Sequence, residues 1–228
     1  MPTRMGCGDG RGRGMEAVRI SRIISTACGD PDAYAQHGGG GIYSATMYDR
    51  QRMLRDEILP ADIAEGYDEI WVVGRYPDDL QTEFSDAVNF VFLPPMRLNR
   101  IEAFRQRECG ARFSTGDIMV VGADDHKVGT GFVQTLREIA DEDTWDVIQP
   151  KRIHGITGEL LPDGQEEGYS PWHCQVYRRW VWCMCPFTGI DTLWCDIIWP
   201  THYREIGAKL TWDDRLTIVD VEAKEGER

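Results

Sequence analysis

The chain has 228 residues, 42% of them hydrophobic and 28% charged, with 38 acidic against 25 basic side chains and a formal net charge of −13. A chain this long buries a core without disulfide or zinc staples, and its eight tryptophans exclude a disordered polymer. The negative charge opposes nucleic-acid backbones and anionic membranes, and no apolar run approaches the ~20 residues of a membrane span. Nor does an apolar stretch follow the Gly/Arg-rich start to make a signal peptide. A cytoplasmic location and small-molecule or metal chemistry are expected. Seven cysteines form no recognisable disulfide framework, which suits a reducing compartment and free core thiols. Cys174, Cys183, Cys185 and Cys195, near His173, lack the paired spacing of zinc ribbons.

Residues 1–14 hold five glycines and three arginines and almost nothing apolar, so a disordered tail is expected before a single domain over 15–228. Residues 18–26, VRISRIIST, read as a first strand, followed by a polar loop through Gly38 to Gly41. A helix is predicted over 45–58, where Met47, Met53, Leu54 and Ile58 approximate a 3.6-residue stripe. Then come strands at 69–74 (EIWVVG) and 89–93 (NFVFL), a helix over 99–109, and the clearest buried strand, GDIMVVGADDH, at 116–126. A helix over 131–140 and a strand at 145–150 complete the series.

Short apolar strands alternating with helices predict an α/β fold: a mostly parallel, Rossmann-like sheet with helices on both faces. After Pro150 the texture changes. Pro162-Asp163-Gly164 signals a turn, CQVYRRWVWCMC (174–185) reads as extended, and five tryptophans fall between 172 and 199. The second half is therefore expected to be aromatic-rich and partly antiparallel, with 15–126 as a nucleotide-type half and 127–228 as the aromatic one.

Ligands of open α/β sheets bind beyond the carboxyl ends of the strands. The sharpest feature there is Asp124-Asp125-His126, which leaves the strand IMVV. Two adjacent carboxylates raise each other's pKa unless they face a cation. Hard oxygen ligands suit Mg2+ or Mn2+, which take one or two carboxylates together with substrate phosphates. Alternatively the two aspartates cap a helix beginning near Lys127. No GxxxxGK[ST] occurs, and no GxGxxG follows the first strand.

The segment LNRIEAFRQRECGARFSTGDIMVVGADDH (98–126) resembles the centre of family 2 inverting glycosyltransferases with the GT-A fold. In that family a helix ending in G-A-x-x-S/T-G-D/E leads to a strand closed by an Asp-x-Asp-type metal motif. WDVIQPKRI (145–153) is similar to the next family strand, and DTLWCDIIWPTHYREIGAKLTWDDRLTIVDVE (191–222) to the acceptor-side segment. The family's first-strand turn keeps only Thr26, its second-strand turn reads Gly74-Arg75-Tyr76-Pro77-Asp78-Asp79, and its Glu-Asp reads Val219-Asp220.

The resemblance implies a metal-dependent transferase that moves a sugar, with inversion, from a nucleoside-diphosphate sugar to an acceptor hydroxyl of a glycan, small molecule or protein. Mn2+ or Mg2+ would be held by Asp125 with Asp124 and His126. Thr26, Asp78, Asn99, Arg100 and Asp124 would contact the donor. Asp220 would be the base, with Asp213 and Asp214 as its alternatives. Trp180, Trp182, Trp194 and Trp199 would line the acceptor or pack the core. A nucleic-acid acceptor is disfavoured by the charge. The competing readings are a nucleotidyltransferase, whose Gly-rich basic turn ISTACGDPD lacks, and a non-catalytic carbohydrate- or protein-binding module in which the Asp pair is structural.

Overall fold

A computed structural model of the chain describes residues 17–26, 47–94, 99–155, 157–160, 175–186 and 201–221, without the side chains of 47–49 and 99–103. The predicted tail, the glycine run at 38–41, the turn at 162–164, and Cys174, Cys195, Trp172, Trp194 and Trp199 lie outside these residues.

The elements alternate as expected: β1 (Ile20–Thr26), α1 (Met47–Met53), a π turn (Leu54–Ile58), α2 (Leu59–Glu65), β2 (Glu69–Gly74), α3 (Asp78–Phe84), β3 (Asn89–Phe92), α4 (Asn99–Phe113), β4 (Ile118–Ala123), β5 (His126–Val128), α5 (Phe132–Ile139), β6 (Val147–His154), β7 (Gln175–Arg178), α6 (Arg179–Met184) and β8 (Leu210–Asp220). The eight strands form one sheet in the order β3-β2-β1-β4-β7-β6-β8-β5. Strands β3, β2, β1 and β4 pair in parallel, as do β6 and β8, while β7 and β5 run antiparallel to their neighbours. Two reversals through β7 leave β6 and β8 pointing the same way as β4. The carboxyl ends of β1, β2, β4, β6 and β8 therefore share one edge.

All seven residues of β1 are buried because helices cover both faces of the sheet. On one face Ile24, Ile70 and Val72 pack under Met53, Leu54, Ile58 and Leu59. Farther along the same face Ile20, Ile118, Val120 and Ile218 meet α5. The opposite face, with Ile23, Met119 and Val121, packs on Phe104 and Ala111 of α4 and on Val181 and Tyr203. Helix α5 shows the mechanism plainly, since its buried residues Phe132, Val133, Leu136 and Ile139 recur at the helical period. Burying each large side chain is worth about 2 kcal/mol. Both carboxylate oxygens of Glu65 cap its start, accepting from Gly131 N at 2.7 Å and Val133 N at 3.1 Å.

Several local expectations change. No helix begins near Lys127: after β4 the chain turns at Asp124 and Asp125 directly into β5, and the next helix starts at Phe132. The capping reading of the Asp pair therefore falls. Residues 175–185 are not one extended segment, because β7 ends at Arg178 and α6 follows at once. Arg178 explains the stop: its side chain turns back to the Glu142 and Trp145 carbonyls and over the Trp145 ring, 4.1 Å from its centroid. Cys109 and Cys185 are free thiols as expected, whereas Cys183 is disulfide-bonded. No described helix is long and apolar enough to cross a membrane.

Candidate active site at the carboxyl edge of the sheet

The end of β1 and the end of β4 meet at Thr26 and Asp124. The Thr26 hydroxyl donates to Asp124 Oδ2 at 2.6 Å. This approach depends on Gly74 at the tip of β2, with φ +137°, where a Cβ would lie 1.9 Å from the Thr26 carbonyl oxygen. Only glycine adopts that conformation beside so close a carbonyl. The same carbonyl accepts from Arg75 N at 3.1 Å and from Gln106 Nε2 at 3.0 Å, so α4 and the β2 turn both hold the end of β1.

Arg50 of α1 supplies the charge partner. Its Nη1 lies 3.0 Å from Asp124 Oδ1 and 2.6 Å from Asp125 Oδ2. The side chains of Arg50 and Asp124 are 9% and 7% exposed, and that of Asp125 is 23% exposed. Burial pushes the Asp124 carboxyl above its ordinary pKa. The Arg50 guanidinium pulls it back, Asp125 pushes it up, and the Thr26 hydroxyl favours the ion again. The cation that two adjacent carboxylates demand is thus provided by the chain itself.

The chain of charges continues through His126. Its Nδ1 lies 2.7 Å from Asp125 Oδ1 and its Nε2 lies 3.4 Å from Asp220 Oδ1. The contact follows from strand pairing, because His126 of β5 stands opposite Asp220 of β8. Val221 N donates to the Asp125 carbonyl at 2.8 Å and fixes the two turns together. Arg152, near the end of β6, closes the row by gripping Asp220 through Nη2 and, at 3.4 Å, Nε. Three carboxylates and two guanidinium groups therefore alternate around one imidazole.

Beneath the row lies a fully buried ion pair, Arg22 Nε to Asp62 Oδ2 at 2.9 Å. Burial raises the Asp62 pKa and the Arg22 charge opposes it. Arg22 Nη2 also donates to the His126 carbonyl at 3.0 Å, tying the pair to the strand that carries the imidazole. Gly122 gives the guanidinium its room, since a Cβ there would stand 2.7 Å from Arg22 Nη1.

Of the residues singled out in the sequence, Thr26, Asp124, Asp125, His126 and Asp220 are brought into one connected cluster. Asp78 is an exposed residue opening α3, one turn beyond β2 at the same edge. Asn99 and Arg100 open α4, and their side chains lie outside the described residues. Asp213 and Asp214 are not brought to the cluster. Asp213 stands opposite Pro150, four positions before the His154–Asp220 pair, or about 13 Å back along the strand at 3.3 Å per residue. There Asp213 is bound by Arg215, which also reaches Glu142. Both aspartates line a separate cavity of about 590 Å³ with Thr144, Trp145 and Trp212. Trp180 is 37% exposed and donates to Asp146 at 3.1 Å, while Trp182 packs against the core and donates to Glu108 at 2.9 Å.

Sequence reasoning missed Arg50, Arg152, Arg22 and Asp62. Arg22 carried a usable signal, a charge in the middle of an otherwise buried strand, which requires a buried partner. Arg50 carried none, because polar residues are ordinary inside a surface helix. Among the described residues no group of three or more His, Cys, Asp or Glu is arranged to hold a metal ion. The donor set nevertheless suits Mg2+ or Mn2+. Asp125 offers a partly exposed hard oxygen at a strand end, and a guanidinium already stands where the pair draws positive charge.

A parallel sheet continued by antiparallel strands, helices on both faces and carboxylates at the carboxyl edge define a GT-A-like α/β fold. Solved structures share it, two of them as follows. Residues 1–349 of TarS from S. aureus superpose with a TM-score of 0.60 at 11% identity, over 89% of this chain and 60% of that one. The mannosyltransferase PcManGT from Pyrobaculum calidifontis, in complex with GDP-Man and Mn2+, superposes with a TM-score of 0.60 at 12% identity, over 93% of this chain and 59% of that one. At such identities the likeness is one of fold, and this chain spans about three fifths of each. No protein-family model and no curated protein matches the sequence.

Proposed function

We propose that the protein is an inverting, metal-dependent glycosyltransferase that moves a sugar from a nucleoside-diphosphate sugar to an acceptor hydroxyl. One observation carries this reading: Asp124, Asp125 and Asp220, distant in sequence, converge with His126 at the carboxyl edge of a GT-A-like sheet. The family 2 resemblance of residues 98–126 supports the same assignment, as does a fold-mate bound to GDP-Man and Mn2+. A nucleotidyltransferase would carry a Gly-rich basic turn that ISTACGDPD lacks, while the Arg50 contacts to both aspartates are the one feature that a binding module with a structural Asp pair would share.

The chain's own residues divide the work. Thr26 and Asp124 sit at the strand ends where the donor nucleoside would lie, with Asp78 opening α3 and Asn99 and Arg100 opening α4. Asp125, with His126 beside it, would hold Mn2+ or Mg2+. When bound, the ion neutralises the charge that develops on the departing diphosphate. Asp220 accepts the acceptor hydroxyl proton as that oxygen attacks the anomeric carbon. The bond from the carbon to the diphosphate oxygen breaks on the opposite side, which inverts the configuration. Arg152 holds the Asp220 carboxylate through Nη2 and Nε, so the base is oriented before the acceptor arrives.

The test incubates the full chain with a panel of nucleoside-diphosphate sugars, Mn2+ and candidate glycan, small-molecule and protein acceptors, and follows products by mass spectrometry. A metal-dependent mass gain of one sugar, with inverted anomeric configuration by NMR, is expected. Turnover with retention would refute the inverting step. Absence of transfer and of donor binding across the panel would refute the transferase reading.

A further inference from the structure

One nitrogen holds the two acidic residues together. Arg50 Nη1 contacts Asp124 Oδ1 at 3.0 Å and Asp125 Oδ2 at 2.6 Å, while the other oxygens face Thr26 Oγ1 and His126 Nδ1 at 2.6 and 2.7 Å. The guanidinium thus occupies the place between the carboxylates toward which a divalent cation is drawn. A divalent cation between the carboxylates would stand beside the guanidinium, and with Arg50 and Asp124 almost fully buried the repulsion between the two cations is little screened. Asp125 is more open than either, so an ion approaching from solvent meets it first.

We propose that Arg50 is the resident counter-cation of the Asp124–Asp125 pair and is exchanged for the divalent cation when the site loads. The inference rests on the metal-dependent reading above and adds a device to it. Without the ion the carboxylates are held in shape by an internal charge, and loading must displace that charge. Thr26 keeps Asp124 in place when the guanidinium leaves, so the carboxylates do not have to be rebuilt. Metal alone consequently binds weakly, with its affinity reduced by competition from Arg50.

The experiment measures Mn2+ binding to the full chain by the loss of the free-ion electron paramagnetic resonance signal, with Mn2+ alone and with Mn2+ plus GDP. Wild type is compared with Arg50→Met and Arg50→Gln, two variants so that one that fails to fold does not end the test. Both are expected to bind Mn2+ alone at least tenfold more tightly than wild type. Both should also gain more thermal stability from the ion, since they lack their own counter-charge. Equal or weaker binding by the variants, with wild type binding the ion, overturns the exchange and leaves the metal reading standing. No binding by any of the proteins, with or without GDP, overturns the metal reading and the exchange with it.

Discussion

His126 and Asp220 face each other across the antiparallel β5–β8 pair, with Nε2 of one 3.4 Å from Oδ1 of the other. Since Nδ1 of the same ring meets Asp125, the pairing of two strands joins the carboxylate after β4 to the one that ends β8. Register therefore does chemical work here, because a one-residue slip would send Asp220 to the other face of the sheet.

Asp125 lies in a turn between two strands and caps no helix, so its removal should spare the fold. Asp125→Ala is expected to keep the wild-type circular dichroism spectrum and to lose metal-dependent nucleoside-diphosphate binding in calorimetry. Wild-type affinity in the variant would refute the metal assignment. Unfolding would show that its contacts to Arg50 and His126 are structural.

Asp220→Asn preserves the shape of the side chain and removes its capacity to accept a proton. Transfer should fall by about 10² or more, the usual contribution of a positioned general base. Donor binding, read by calorimetry, should remain within a few-fold of wild type. An unchanged kcat would exclude Asp220 as the base.

Gly122→Ala places a methyl group 2.7 Å from Arg22 Nη1, in a space that the buried guanidinium fills. Either Arg22 shifts away from Asp62 and the His126 carbonyl or β4 moves. Overpacking of this kind costs about 1–3 kcal/mol. Chemical denaturation should show that loss, and an unchanged midpoint would mean that Arg22 has a second rotamer available.

The pH dependence follows from Glu69. Burial raises its pKa, but hydrogen bonds from Ser21 Oγ, Thr115 N and Gly116 N outweigh burial and hold it below the ordinary 4.5. A carboxyl lowered on folding adds stability that is present above its unfolded pKa and lost as pH falls through the folded one. Because the group is partly exposed, screening keeps the effect small. Glu69→Gln should lower Tm by roughly 2–4 °C near neutrality. The difference from wild type should shrink once pH drops below about 4.5. A difference that stays constant down to pH 3 would contradict this.

The sequence by itself determined the α/β class and the position of the acidic turn. Strands at 20–26, 69–74 and 118–123 were legible because a strand buried on both faces must be a short, nearly continuous apolar run, and that constraint is local. Asp124-Asp125-His126 was legible as a charged cluster because three titratable groups leaving such a strand need partners. The partners themselves were decided only in three dimensions. Arg50 is 74 positions from Asp124 and Arg152 is 68 from Asp220, distances at which no periodicity operates. Strand β8 escaped notice because Asp213, Asp214 and Arg215 interrupt its alternation at a bulge. Strand order separates the three candidate bases. Asp213, Asp214 and Asp220 look alike along the chain, and only the pairing of β8 with β5 sets Asp220 beside His126, with Asp213 about 13 Å behind.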